Sequence, residues 1–149
     1  MNVFLRAATP LDAGATGDIL WRSLRQVASD ELSSAAEAIG CCDVMIARNW
    51  MTVAVNAAGV RAFLARDGQE ICALYTAAEA RGRGIGRQLM QEAKRNVSRL
   101  HLKTPAANTG ARRFYAREGF VPVDPVGVVP WDETPDAART YVWQKEIAA

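Results

Sequence analysis

Apolar positions change their period several times along the chain, and each change marks an expected element. Val3 to Ala8 is a short apolar run that reads as a strand. It leads into Thr9-Pro10-Leu11-Asp12, where Thr9 suits an N-cap, Pro10 the first helical position and Asp12 the acidic third. In the helix that follows, Ile19, Leu20, Leu24 and Val27 recur at helical spacing. A second helical stretch is expected from Ser29 to about Trp50, broken at Gly40.

From Met51 the pattern becomes strand-like. Met51 to Val55, Val60 to Ala65 and Glu70 to Thr76 are β-leaning runs separated by Ala57-Ala58-Gly59 and Arg66-Asp67-Gly68, so three antiparallel strands are expected. Next, Ile85, Leu89, Ala93 and Val97 recur every four residues while Arg87, Lys94, Arg95 and Arg99 point elsewhere, which predicts an amphipathic helix with its apolar stripe on the sheet. Leu100 to Thr104 reads as a strand and Pro105-Ala106-Ala107 as a break. Asn108 is placed to cap a short helix that Gly119 terminates. Phe120 to Val123 begins a further strand, and Arg139 to Lys145 alternates Tyr141 and Trp143 against Val142 and Gln144 as a last one. The intervening segment from Asp124 to Ala138 is turn-rich.

Composition narrows this picture. With 149 residues, half of them hydrophobic, the expectation is one domain, residues 1–149, with a substantial core. Eighteen basic against 16 acidic residues leave a formal charge of +2, too little to argue for a nucleic acid or an anionic membrane as partner. Arg81, Arg83, Arg87, Lys94, Arg95 and Arg99 spread around their helix without interleaved aromatics, as a solvated face would. No membrane-length apolar run and no signal-peptide layout is present, so a cytoplasmic protein is expected. Cys41, Cys42 and Cys72 are odd in number, with two adjacent, and make no disulfide framework. A single histidine, His101, argues against a zinc site, and no metal is expected.

Candidate chemistry concentrates at Arg81-Gly82-Arg83-Gly84-Ile85-Gly86, between a strand and a helix. Amides at a helix N-terminus have no partner within the helix, the helix dipole is positive there, and glycines let a phosphate approach the backbone. Arg81, Arg83 and Arg87 add positive charge. A Walker A loop is excluded because Gly86 is followed by Arg87-Gln88 and lacks the magnesium-binding hydroxyl. A Rossmann loop is disfavoured because Gly82, Gly84 and Gly86 have the wrong spacing and the preceding strand belongs to a hairpin series.

Leu74-Tyr75-Thr76, the loop from Glu79 to Gly86, Asn108, and Phe114-Tyr115-Ala116-Arg117-Glu118-Gly119-Phe120 together resemble the GNAT superfamily of acetyl-CoA-dependent N-acetyltransferases. Arg81-x-x-Gly84-x-Gly86 is similar to that family's pyrophosphate loop, and Asn108 through Phe120 to its late helix. The resemblance implies an α/β fold of the α+β kind: a mixed, mostly antiparallel sheet of about six to seven strands, flanked by about four helices and splayed at the coenzyme-binding strand. It implies acetyl-CoA as co-substrate, held by Leu74, Tyr75, Thr76, Arg81, Gly82, Arg83, Gly84, Ile85, Gly86, Arg87 and Asn108, with the pantetheine arm along Glu70 to Thr76.

In such a transfer a neutral amine attacks the thioester, and a thiolate departs. The resemblance implies that a backbone N–H near Tyr75 stabilises the oxyanion and that Tyr115 is the catalytic residue, protonating the thiolate or hydrogen-bonding to the sulfur. Where many relatives carry a glutamate base, this chain carries Lys103. His101, which alternates onto the same side of its strand, is a candidate base, and water is another. Competing carboxylates are Glu70, Glu79, Asp132, Glu133 and Asp136, with Trp131-Asp132-Glu133 able to meet an ammonium. The acceptor, a small-molecule or peptide amine, is not specified by any motif. A non-catalytic acyl-CoA-binding regulatory or protein-interaction module is the alternative. The apolar Tyr141-Val142-Trp143 run admits a homodimer through the final strands.

Overall fold

Asp12 decides how the chain enters its first helix. Its carboxylate accepts two hydrogen bonds from the Arg6 guanidinium, at 2.7 and 3.0 Å, and one from the Thr9 backbone N–H at 2.8 Å. The Arg6 hydrogen bond is the main reason that the carboxyl is held below the usual carboxylate range. Strand β1 (Phe4–Ala7) is thereby tied to a 3-10 turn at Pro10–Asp12 and to helix α1 (Ala13–Gln26). These elements come from a computed structural model that describes residues 2–27, 29–105, 107–123 and 138–146.

Ile19, Leu20 and Leu24 of α1 are buried as their spacing predicts, whereas Val27 lies past the helix end and is 63% exposed. Helix α2 (Ala35–Ala47) begins later than expected and runs unbroken through Gly40. Its start is set by Ser34, whose Oγ accepts from the Glu37 N–H at 3.1 Å, while the Glu37 carboxylate accepts from the Ser33 N–H and hydroxyl at 2.9 and 2.7 Å. Gly40 faces open space, and its propensity cost of about 1 kcal/mol is smaller than the gain from packing α2 on α1. The two helices approach closely at Gly17, where a Cβ would stand 2.8 Å from the Ile39 Cα.

The three predicted middle strands are β2 (Met51–Asn56), β3 (Gly59–Asp67) and β4 (Glu70–Thr76). β3 extends through Arg66 and Asp67, so the expected second turn narrows to Gly68 and Gln69, with Gly68 held at φ +58°. After a 3-10 turn (Ala78–Ala80) come α3 (Ile85–Asn96), β5 (Arg99–Pro105), α4 (Thr109–Arg117), β6 (Val121–Val123) and β7 (Ala138–Gln144). The seven strands form one sheet in the order β1-β2-β3-β4-β5-β7-β6, antiparallel except where β4 meets β5. Four consecutive residues of β3, Ala62 to Ala65, are buried, so both faces of that strand are covered, and α1 and α3 both pack against it. This is the mixed α/β architecture expected from the sequence.

β7 lies between β5, which pairs with it from Ala138 to Gln144, and β6, which covers its other side from Thr140 to Val142. Among the described residues β6 holds that edge of the sheet. A homodimer through the final strands, as the sequence admits, would meet the edge strand β6 rather than β7 at Thr140 to Val142. Trp131, Asp132, Glu133 and Asp136 lie outside the described residues. Among the described residues no helix is long and apolar enough to cross a membrane.

Candidate active site

β4 and β5 share one register pair, Glu70 with His101, and the His101 N–H donates to the Gln69 carbonyl at 2.9 Å. Beyond that pair the two parallel strands part, leaving the rest of β4 without a ladder on this side. The direction of its backbone is set by a register jump, from Ala65 opposite Ala73 to Arg66 opposite Ile71, which makes Cys72 an extra, bulged residue. Past the bulge, the Ala77 N–H donates to the Arg61 carbonyl at 2.8 Å across β3. Counting back in twos, Tyr75 and Ala73 also turn their backbone toward β3, while Thr76 and Leu74 turn theirs into the gap. Thr76 agrees with this count, since its carbonyl accepts from Arg81 Nε at 3.2 Å on that side. The backbone donors expected near Tyr75 thus belong to its two neighbours.

The side chains at the gap are aromatic. Tyr75 stands opposite Phe63 with ring centroids 5.8 Å apart, and burial, with Glu31 as a lesser cause, raises its phenol pKa. Tyr115 on α4 is 9% exposed and packs against Phe114, Phe120 and Tyr141 at 5.3, 5.5 and 6.4 Å between centroids. Burial, followed by the neighbouring Tyr75, pushes its pKa up to about 12. Asn108 caps α4, its Oδ1 accepting from the Ala111 N–H at 3.2 Å. Gly119 ends that helix at φ +89°.

The glycine-rich loop reaches α3 through two left-handed residues, Gly82 at φ +75° and Gly84 at φ +77°. No side chain caps the helix. Its first internal hydrogen bond runs from the Gln88 N–H to the Gly84 carbonyl at 3.1 Å, so the amides of Ile85, Gly86 and Arg87 have no partner within the helix. A Cβ on Gly86 would lie 3.6 Å from the Phe114 ring and 3.9 Å from Thr76 Oγ1, which shows how closely the end of β4, the start of α3 and α4 converge.

The arginines divide. Arg83 and Arg87 are exposed beside the free amides. Arg81 departs from the expectation that its charge faces the loop's ligand: its guanidinium donates to Gln26 Oε1 at 2.7 Å and to Ser23 Oγ at 3.4 Å on α1, as well as to Thr76. Lys94 departs further. Read as part of a solvated face, its side chain is only 12% exposed and donates to the Glu118 carbonyl at 2.5 Å and carboxylate at 3.3 Å, 5.3 Å from the Trp143 ring centre. It fastens α3 to the end of α4, a contact between residues 24 apart that no local pattern announces.

Of the base candidates, His101 sits at the closed end of the gap, half-buried, at the register of Glu70. Glu79 is paired with Arg61 at 3.2 Å, on a cleft of about 500 Å³ between α1, the start of β3 and the segment before the loop.

The sequence matches the family described as an acetyltransferase (GNAT) domain over residues 27–122, and the chain belongs to that family. No curated protein matches it. Among solved structures it is similar to apo YjaB from Escherichia coli, at 23% identity and TM-score 0.75 over 98% of this chain and 100% of that one. YncA from Salmonella typhimurium, a putative acetyltransferase solved with its cofactor acetyl-CoA, is 16% identical with TM-score 0.69 over 100% and 97% of the two chains. The PaiA N-acetyltransferase of Thermoplasma acidophilum, in complex with coenzyme A, is 16% identical with TM-score 0.69 over 97% and 99%. These likenesses establish the fold that the strand order describes.

Proposed function

We propose that residues 1–149 form a single domain that moves an acetyl group from acetyl-CoA to a primary amine of a small molecule or peptide, by direct attack in a ternary complex. The observation that carries this reading is the gap between β4 and β5, into which Leu74 and Thr76 turn backbone N–H groups that have no strand partner, opening onto an uncapped helix N-terminus. A slot lined with amide donors, ending at an anion site, fits an extended arm joined to a pyrophosphate. Acetyl-CoA and CoA complexes of YncA and PaiA support the same ligand.

The coenzyme supplies the activated thioester. In this reading the amides of Ile85, Gly86 and Arg87, with the Arg83 and Arg87 guanidiniums, hold the pyrophosphate, and Gly82 and Gly84 shape the loop. Leu74, Tyr75, Thr76 and Asn108 hold and align the arm. The amine nitrogen bonds to the carbonyl carbon, negative charge on the oxygen is met by a backbone N–H of β4, and the carbon–sulfur bond breaks with its electrons on sulfur.

Tyr115 serves the leaving sulfur. A phenol pushed up to about 12 stays protonated at neutral pH. Passing its proton completely to a thiolate, whose thiol ionises near 8.5, is uphill by roughly 5 kcal/mol, so a hydrogen bond to the sulfur is its role. The proton shed by the amine leaves by His101 or by water.

The test is turnover: acetyl-CoA is mixed with a panel of amines and thiol release is followed. Release with at least one class of primary amine is expected. Binding of CoA with no release from any amine leaves a CoA-binding module, and no detectable CoA affinity at low salt overturns the reading.

A further inference from the structure

The cleft of about 500 Å³ on the α1 side of the loop is lined by Arg22, Arg25, Arg61 and Arg81 against Asp18 and Glu79, four cations to two anions. Acetyl transfer uses none of this surplus. The two acids make pairs that open easily: Asp18 with Arg22 at 3.0 Å has both partners well exposed, and Glu79, which meets Arg61 at 3.2 Å, is itself 68% exposed.

Arg61 is the residue that points to a ligand. The β2–β3 register jumps from Ala54 opposite Ala62 to Val55 opposite Val60, which makes Arg61 a bulged residue, and bulges re-aim side chains. Its side chain is 16% exposed, and its terminal nitrogens donate to Glu79 and to the Ala58 carbonyl, each at 3.2 Å. Its Nε is buried and has no hydrogen-bond partner among the described residues. An unmet buried donor on a charged group is costly, and an acceptor arriving from outside accounts for it.

We infer that this cleft binds a small oxyanion, of the phosphate-ester class, gathered by the Arg61 guanidinium with Arg22, Arg25 and Arg81 around it. Planar guanidiniums suit such oxygens, since each can give two parallel hydrogen bonds. The site is distinct from the amides of Ile85 to Arg87, and Arg81 is the link between the two because it also holds the Thr76 carbonyl. The inference does not rest on the acetyltransferase reading.

The experiment is an NMR titration of the full chain with inorganic phosphate at low ionic strength, matched against chloride, with and without excess CoA. Saturable shifts are expected at residues 58–61, 77–81 and along residues 18–26, with the Arg61 Nε–H signal moving as it gains an acceptor, in both conditions. Arg61→Gln should weaken phosphate binding about tenfold, the weight of one charge-assisted hydrogen bond, and Arg22→Gln, at an exposed position that does not endanger folding, should weaken it several-fold. Shifts confined to residues 82–87, absence of saturation in the millimolar range, or wild-type affinity in both variants overturns the inference.

Discussion

Glu70 and His101 are the one register pair that holds β4 to β5 among the described residues. From there to Thr76 is six residues, roughly 20 Å of strand, so the gap is a long wedge with His101 at the register of its closed end. If His101 takes the proton of the attacking amine, His101→Gln lowers kcat/KM at least tenfold and leaves CoA affinity unchanged. Steady-state kinetics beside calorimetric CoA binding decides this, and an unchanged rate assigns the proton to water.

For Tyr115→Phe the expectation is a fall in turnover of about 10- to 100-fold with the CoA dissociation constant within about twofold. The ring keeps its contacts with Phe114, Phe120 and Tyr141, so only the hydroxyl is lost. Equal rates for both proteins remove Tyr115 from the mechanism.

The same phenol makes stability depend on alkaline pH. Because burial raises its pKa to about 12 in the folded chain, folding favours the protonated form. Above the unfolded value near 10 the unfolded chain loses this proton first, and stability falls on the order of 2–3 kcal/mol by pH about 12. Urea unfolding between pH 8 and 11.5 should show a steeper decline for the wild type than for Tyr115→Phe. Parallel declines contradict the burial of that hydroxyl.

Asp12 gives the opposite dependence. Its carboxyl is held low by Arg6, so its contribution is complete above the unfolded carboxylate range and is lost as pH falls through the folded value. Asp12→Asn should be less stable than wild type at pH 7, with the difference shrinking toward pH 2.

Two glycines in the packed helix pair should respond with opposite signs. Gly17→Ala drives a methyl into the Ile39 backbone, where Cα stands 2.8 Å away, and is expected to destabilise by about 1–3 kcal/mol. Gly40→Ala meets nothing within 4 Å and is expected to stabilise by up to about 1 kcal/mol. Thermal unfolding of the two variants measures both.

These contrasts show what the sequence makes legible. Ile85, Leu89 and Ala93 announced α3, Asn108 announced the start of α4, and the spacing of Gly82, Gly84 and Gly86 marked the loop, because each signal is local to its element. Gly40 misled, since propensity was read where tertiary packing decides. Arg81 and Lys94 misled because a side chain's destination is fixed by partners far along the chain, Gln26 for one and Glu118 for the other. The unmet Nε of Arg61 leaves no trace in composition or period, because it arises from one extra residue in β3.

Cys72 does for β4 what a phase shift does for a wave. With one residue more than its partner strand needs, β4 exchanges odd for even, and the positions that serve the sheet below the bulge serve the gap above it. Straightening the bulge without shortening the chain, so that Cys72 itself stood opposite Ala65, would preserve the hydrophobic content and much of the pairing, yet it would swing the Leu74 and Thr76 amides against β3 and present those of Tyr75 and Ala73 to the ligand. The chemistry of this chain therefore hangs on a parity, and a one-residue slip of register between β3 and β4 is a more complete lesion than exchanging any single side chain along β4.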